Sequence, residues 1–315
     1  MVKVTTPIPW NDVDEKVKDL ITARSEAKQD RNFELADQLR KDIESLGYLI
    51  NDVAGGNTEV MKLGDAGVVA KKRFLLLFGS GEIAPISVDI YRSTFLQLGK
   101  RDLTISLITT PAGFQPNVNS VYGEIKDFML AALPDFNLNI QVVPVNTRVD
   151  ADNNEYVKQI QMSDILFLGP GSPTYGIRHL MGSRVLRAII DQVKSSATLI
   201  LASAATITFS AHSLPVYEIY KVGDELHWVD GLDVYREIWG STTIIPHFNN
   251  REGGVELDTS YCYVGKDRAE KLISMLPKDS KVIGIDEHTA LIIDLETQEQ
   301  VVRGKGAVHA VQSSL

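Results

Sequence analysis

From Phe74 onward the chain repeats one grammar: a short apolar run, a turn, then a stretch with helical spacing. The runs are Phe74 to Phe78, Leu103 to Ile108, Ile140 to Val145, Ile165 to Leu168, Thr198 to Ala202, Thr243 to Ile245 and Val282 to Ile285. Several are continuous rather than alternating in polarity, as expected of parallel strands covered on both faces. Tyr122 to Leu133 and Ser183 to Val193 are helical candidates between them. This βαβα order predicts an α/β fold with a doubly wound, mostly parallel sheet, whose sites gather at the carboxyl ends of the strands. Ala290 to Leu295 and Gln300 to Val302 close the chain as an antiparallel piece.

The first sixty residues follow a different pattern. Val13, Val17, Leu20, Ile21 and Ala27 recur at spacings of three and four, and Phe33, Ala36, Leu39, Ile43 and Leu46 repeat the stripe. Asn32 suits an N-cap, and Gly47 stands where a left-handed residue ends a helix. The segment predicts a helical hairpin, with turns and a linker over 53–58 and 63–67. The expected domains are 1–63 and 73–315.

Composition excludes several classes. The 315 residues carry a formal charge of −9, which argues against a general nucleic-acid binder, since phosphate contacts need clustered Lys and Arg. Cys262 is the single cysteine, so neither an internal disulfide nor a multi-thiolate zinc site can form, and no metal or cofactor is expected. No apolar run approaches the roughly 20 residues that span a bilayer. The opening residues lack a basic region followed by an apolar stretch, so the expected location is the cytoplasm and no membrane partner is expected.

Four pieces could carry chemistry. Ser203 follows the run Thr198 to Ala202 and is flanked by Ala202, Ala204 and Ala205, the context of a nucleophile elbow, in which a sharp strand-to-helix turn lifts Oγ above the sheet. Leu201 and Ala205 stand where that motif usually has glycine. The Ala204 amide and a second donor from Gly171 or Ser172, in Gly169-Pro-Gly171-Ser172, could face an oxyanion. His247, after Ile244-Ile-Pro246, is the best-placed base of the six histidines. Asp286 and Glu287 follow another strand, and one of them could orient the imidazole; His288 beside them is a rival base. Taken singly, each has a bland reading: a packing serine, a tight βα turn, a solvated histidine, a polar strand cap. Cys262 reads as a packing thiol.

Together and in this order the pieces resemble the aspartyl dipeptidase and cyanophycinase family of serine peptidases. Ala202-Ser203-Ala204, Pro246-His247-Phe248, Gly284-Ile-Asp286-Glu287-His288-Thr-Ala290 and Gly169-Pro-Gly171-Ser172 carry the resemblance, over roughly residues 73–311. It implies a fold like class I glutamine amidotransferases or flavodoxin, a Ser203–His247–Glu287 triad, and cleavage of small or β-linked aspartyl peptides. An acidic substrate needs a cation, and Arg178 and Arg251 are the expected ones. A small peptide is the expected substrate and a homodimer a candidate assembly.

The hairpin is similar to something else. Leu20 to Ala27, Arg31 to Arg40, Leu46 to Asp52 and Gly56-Asn-Thr58 resemble the C-terminal helical segment of cysteinyl-tRNA synthetases. That resemblance implies tRNA as a partner, which nine basic against twelve acidic residues over 1–63 do not favour. Two rivals to the hydrolase stand. Gly79-Ser-Gly81-Glu82-Ile-Ala84 mimics a dinucleotide loop, but Glu82 sits where pyrophosphate charge would go, and no ribose-binding acid follows the second strand. The other is a catalytically inactive member that binds a ligand or associates with RNA.

Overall fold

The computed structural model describes residues 3–4, 7–53, 58–64 and 72–311. They divide into two compact units, residues 1–71 with 92–101, and 72–91 with 102–315. The turn expected at 54–57 and the linker residues 65–67 lie outside the described residues.

In the first unit, β1 (Lys3–Val4) precedes α1 (Glu15–Gln29) and α2 (Phe33–Ser45), followed by β2 (Tyr48–Asp52) and β3 (Thr58–Gly64). Asp14 caps α1 by accepting from Lys16 N, and Asn32 caps α2 by accepting from Leu35 N. Gly47 has φ 82°, the left-handed turn that lets the chain leave α2 and enter β2. Val13, Val17, Ile21, Ile43, Tyr48, Ile50 and Val60 form one apolar cluster. Helices and strands thus share a core, and the strands form a three-stranded antiparallel sheet in the order β1-β3-β2, which takes in Thr58, Leu63 and Gly64 from the stretches read in the sequence as turns and linker. Its strands are short and partly polar, and their partners are what make them strands.

Asp52 is the electrostatic centre of this unit. Arg24, buried on α1, donates to both its oxygens at 2.9 and 2.8 Å; Lys28 also bonds to it, and Arg40 of α2 lies 3.8 Å away. Burial works to raise the Asp52 carboxyl, but hydrogen bonds and charge from Arg24 and Lys28 outweigh it and hold the group well below the usual carboxylate range.

The second unit begins with β4 (Phe74–Phe78), the start of α3 (Pro85–Leu96, whose residues from Arg92 on are counted with the first unit), β5 (Asp102–Ile108), α4 (Val118–Ala132) and β6 (Asn137–Val143). There follow α5 (Arg148–Ala151), α6 (Asn154–Gln161), β7 (Ile165–Leu168), α7 (Pro173–Leu180), α8 (Arg184–Ser195), β8 (Thr198–Ala202) and α9 (Ala204–Thr208). The last third holds β9 (His212–Ser213), β10 (Val229–Asp230), α10 (Val234–Ile238), β11 (Thr243–Ile245), α11 (Lys266–Ser274), β12 (Val282–Ile285), β13 (Thr289–Asp294), β14 (Gln300–Gly304) and β15 (Val308–Val311).

The main sheet has seven strands in the order β14-β13-β4-β8-β7-β5-β6. The five from β4 to β6 are parallel, and β13 and β14 extend the sheet antiparallel, as expected. Their apolar runs are buried because helices cover both faces: Leu75, Leu77, Leu166, Leu168, Leu199 and Leu201 share a core with Val185 and Ile189 of α8. Fully burying each such side chain contributes about 1.5–3 kcal/mol. Register aligns the strand ends, pairing Phe78 with Ala202, Leu168 with Leu201, and Ile108 with Leu168. The loops after β4, β5, β7 and β8 therefore leave the sheet at one edge.

Two expected strands lie elsewhere. The runs at 243–245 and 282–285 form a separate three-stranded sheet, β11-β12-β15, rather than joining the main one. An apolar run specifies burial but not a neighbour, which is set by connections far away in the chain.

Candidate active site

The centre of the site is one residue of backbone geometry. Ser203 has φ 51° and ψ −116°, between the end of β8 and the start of α9. A left-handed serine reverses the chain within a single residue and is costly for a side chain bearing Cβ. The turn is held from both sides: Ser203 N donates to Phe78 O at 3.2 Å, and Thr206 N and Thr206 Oγ1 donate to Ser203 O at 3.0 and 2.7 Å. Ala204 and Ala205 are buried, so small side chains fill the space beside the turn. The elbow forms without either glycine.

His247 follows β11 through Pro246 and also has positive φ, 48°. Its N–H donates to Gly79 O at 3.2 Å, tying it to the end of β4. A Cβ on Gly79 would stand 2.2 Å from Asp286 O, so only glycine lets the β4 and β12 loops pass this closely. The His247 ring stands between two partners, with Nε2 2.9 Å from Ser203 Oγ and Nδ1 2.8 Å from Glu287 Oε1. Three side chains separated by 44 and 40 positions converge.

Glu287 is held as a carboxylate. The hydrogen bond from His247 lowers its carboxyl below the ordinary range, against the opposing effect of burial and with help from Asn250. Asn250 Nδ2 donates to the same Oε1 at 2.9 Å, and Glu287 N donates to Asn249 Oδ1 at 2.8 Å. A carboxylate only accepts, so Nδ1 of His247 bears the proton and Nε2 presents a lone pair to the Ser203 hydroxyl.

The neighbouring acid does something else. Asp286 accepts from His309 Nε2 and Ala307 N, both at 2.9 Å, and anchors β15. His288, the rival base, bonds through its backbone N–H to Ser80 Oγ at 3.2 Å, and its ring lies against Gly81. Glu82 follows in that loop. Burial pushes its carboxyl up, partly offset by hydrogen bonds from its own N–H and that of Gly81.

A cleft of about 250 Å³ opens over Ser203, with Gly171, Ala204 and His247 in its lining. Gly171 has φ 145°, and a Cβ there would overlap Pro111 O at 1.9 Å. Ser172 N donates to Pro111 O at 2.7 Å. That corrects one expectation: the Ser172 amide is already engaged and is not aimed at an oxyanion, whereas Gly171 faces the cleft. The two expected arginines need correcting too. Arg178, in the last turn of α7, and Arg251 are both exposed and neither lines the cleft. Its cation is Lys221, whose Nζ sits 4.6 Å from the centre of the Tyr220 ring.

No family model and no curated relative matches this chain. Solved structures do. A peptidase from an acI-B1 Actinobacterium aligns at 24% identity and TM-score 0.61, covering 78% of this chain and 93% of its own. A candidate Peptidase E protein from Listeria monocytogenes EGD-e aligns at 14% identity and TM-score 0.50, covering 75% of this chain and all of its own. The chain has a peptidase E-like α/β fold. At these identities the likeness establishes architecture, and roles must be argued from the side chains.

Several of those were missed in the sequence. Asn250 had a signal, being an amide three residues after the candidate base. Tyr217, Tyr220 and Lys221 had none. They come from 215–224, where Glu218–Val222 form one turn of π-helix, an arrangement frequent at functional sites. Tyr263 and Cys262 reach the cleft through three consecutive left-handed residues, Tyr261, Cys262 and Tyr263, none of them glycine. Burial pushes the Cys262 thiol well up, which suits packing rather than nucleophilic attack. Among the described residues no His, Cys, Asp and Glu group has metal-binding geometry, and no helix is long and apolar enough to cross a membrane.

Proposed function

We propose that the second unit is a serine-type hydrolase acting on small peptides, with Ser203 as nucleophile, His247 as base and Glu287 as the acid that orients it. One observation carries the reading: Ser203 is held left-handed at a strand end with Oγ 2.9 Å from His247 Nε2, while Glu287 bonds Nδ1 at 2.8 Å. A packing serine has no need of that conformation, nor a solvated histidine of a carboxylate on its far nitrogen.

Ser203 Oγ attacks the peptide carbonyl and gives its proton to Nε2. The tetrahedral oxyanion is met by the Ala204 amide, at the start of α9, and by the Gly171 amide across the cleft. Such donors act on charge that develops only in the transition state, and losing one lowers the rate by about 10²–10³. His247 then protonates the leaving amine, the acyl-enzyme forms, and water reverses the steps. Glu287 stabilises the imidazolium and fixes the tautomer. Lys221 is the lining residue suited to a substrate carboxylate, which fits an aspartyl peptide, and the cleft's volume fits a short one.

A fluorophosphonate probe tests this. Wild type is expected to react covalently at Ser203, Ser203→Ala not at all, and His247→Ala far more slowly. Equal labelling of all three proteins, or none of the wild type, leaves the inactive-member reading in its place.

A further inference from the structure

The stretch 215–223 belongs to none of the motifs that carry the resemblance, yet Tyr217, Tyr220 and Lys221 from it line the cleft, and another of its residues has no part in the scheme above. Glu218 opens the π-turn. Its backbone carbonyl closes that turn by accepting from Gly223 N and Asp224 N, both at 2.9 Å. Its side chain reaches the other way: Thr174 Oγ1 donates to Glu218 Oε1 at 2.6 Å. Thr174 is the second residue of α7, immediately after the loop that presents Gly171.

Proton counting gives this contact a direction. A threonine hydroxyl has one proton, and Thr174 gives it to Glu218. Ser172 Oγ, 3.0 Å from Thr174 Oγ1, must then be the donor of that pair. Ser172 Oγ also accepts from Tyr175 N at 3.3 Å, capping α7, while Ser172 N holds Pro111 O. A single chain of bonds thus runs from Glu218 through Thr174 and Ser172 into the β5 loop, next to the Gly171 peptide. Glu218 Oε2 is buried and has no hydrogen-bond partner among the described residues. An unpaired buried oxygen is a cost to stability, so its retention calls for a reason other than stability.

We propose that Glu218 is a positioning residue: through Thr174 and Ser172 it sets the aim of the Gly171 amide and locks the oxyanion loop to the substrate-facing wall that carries Tyr217, Tyr220 and Lys221. The inference rests on the hydrolase reading. It extends that reading by making oxyanion stabilisation depend on a segment that touches substrate elsewhere, so wall and oxyanion donor move together.

The test compares full-length Glu218→Ala, Thr174→Val and Glu218→Gln with wild type. The readouts are the rate of fluorophosphonate labelling at Ser203 and amide hydrogen exchange over 171–176. Glu218→Ala and Thr174→Val each cut the relay, and are expected to slow labelling about 10- to 100-fold, a fraction of what loss of a whole oxyanion donor costs. Glu218→Gln keeps an acceptor and should retain most of the rate. The double variant Glu218→Ala/Thr174→Val should be no slower than either single, because both break one chain. Exchange over 171–176 should quicken in the two cut variants, with melting temperatures close to wild type. Labelling at the wild-type rate in Glu218→Ala overturns the proposal, as does a Glu218→Gln variant as slow as Glu218→Ala. If wild type itself does not label, the hydrolase reading fails, and the catalytic role with it. Unchanged exchange at 171–176 overturns the latch whatever the labelling result.

Discussion

Asp52 and Glu287 are both carboxylates held below their ordinary range, and they do opposite things. Around Asp52 stand Arg24, Lys28 and Arg40, side chains charged at any physiological pH. Around Glu287 stand His247 and Asn250, one titratable and one neutral. A carboxylate among permanent cations has no proton to manage and can only hold α1, α2 and β2 together. A carboxylate on an imidazole controls where a proton sits and leaves the other ring nitrogen free to accept one. What separates a structural acid from a candidate catalytic one is the partner's ability to titrate, not the acid's own shift.

The contrast can be broken by neutral replacements of equal size. Glu287→Gln should lower hydrolysis and Ser203 labelling by roughly 10³–10⁴-fold, since an amide can present an N–H to Nδ1 and stabilise the wrong tautomer. Its melting temperature should stay near wild type. Asp52→Asn should do the reverse: Ser203 labelling unchanged, the first unit destabilised by about 1–3 kcal/mol, read from urea unfolding followed by hydrogen exchange in α1 and α2. The figure is kept small because the Asp52 side chain is 38% exposed and water screens the cluster. A large loss of labelling in Asp52→Asn would erase the distinction.

Acidity sharpens it next. Asp52 has a folded-state affinity for protons lower than in the unfolded chain, so its stabilisation is complete above the unfolded carboxylate range, near about pH 4, and is lost as pH falls through the depressed folded value. The stability gap between wild type and Asp52→Asn should therefore be constant from pH 7 to about 5 and close below about 4. A gap that widens on acidification contradicts the assignment. Salt gives the smallest effect. Raising ionic strength from about 0.1 to 1 M shortens the screening length from about 10 to 3 Å and should trim the Asp52→Asn gap by a few tenths of a kcal/mol. The Glu287→Gln rate defect should not move, because its hydrogen bonds are short-range.

The members of the candidate triad are legible in the sequence because each sits just past an apolar run, and runs are what periodicity reports. Ser203 follows β8, His247 follows β11 and Glu287 follows β12. The parallel core, the α1–α2 hairpin and the caps at Asn32 and Gly47 were legible for the same local reason. What was not legible is set at a distance. β11 and β12 form a sheet of their own, although their apolar runs look like those of the main sheet. The π-turn at Glu218–Val222 bonds to Thr174, 44 positions away, a contact that no local pattern reports. Arg178 and Arg251 have the charge that an acidic substrate needs, but charge does not say which way a side chain faces. Lys221 reaches the cleft from a segment with no recognisable motif.

The turn between β12 and β13 carries a further consequence. Asp286 and Glu287 are adjacent, yet one engages His309 and the other His247. Inserting one residue after Ile285 would put the aspartate in the place of Glu287, and deleting one before Glu287 would put the glutamate in the place of Asp286; either shift takes a carboxylate of the fitting length away from one of the two histidines. This corner should therefore reject any change of length, whereas the exposed residues 254–258 can absorb insertions without disturbing either pairing.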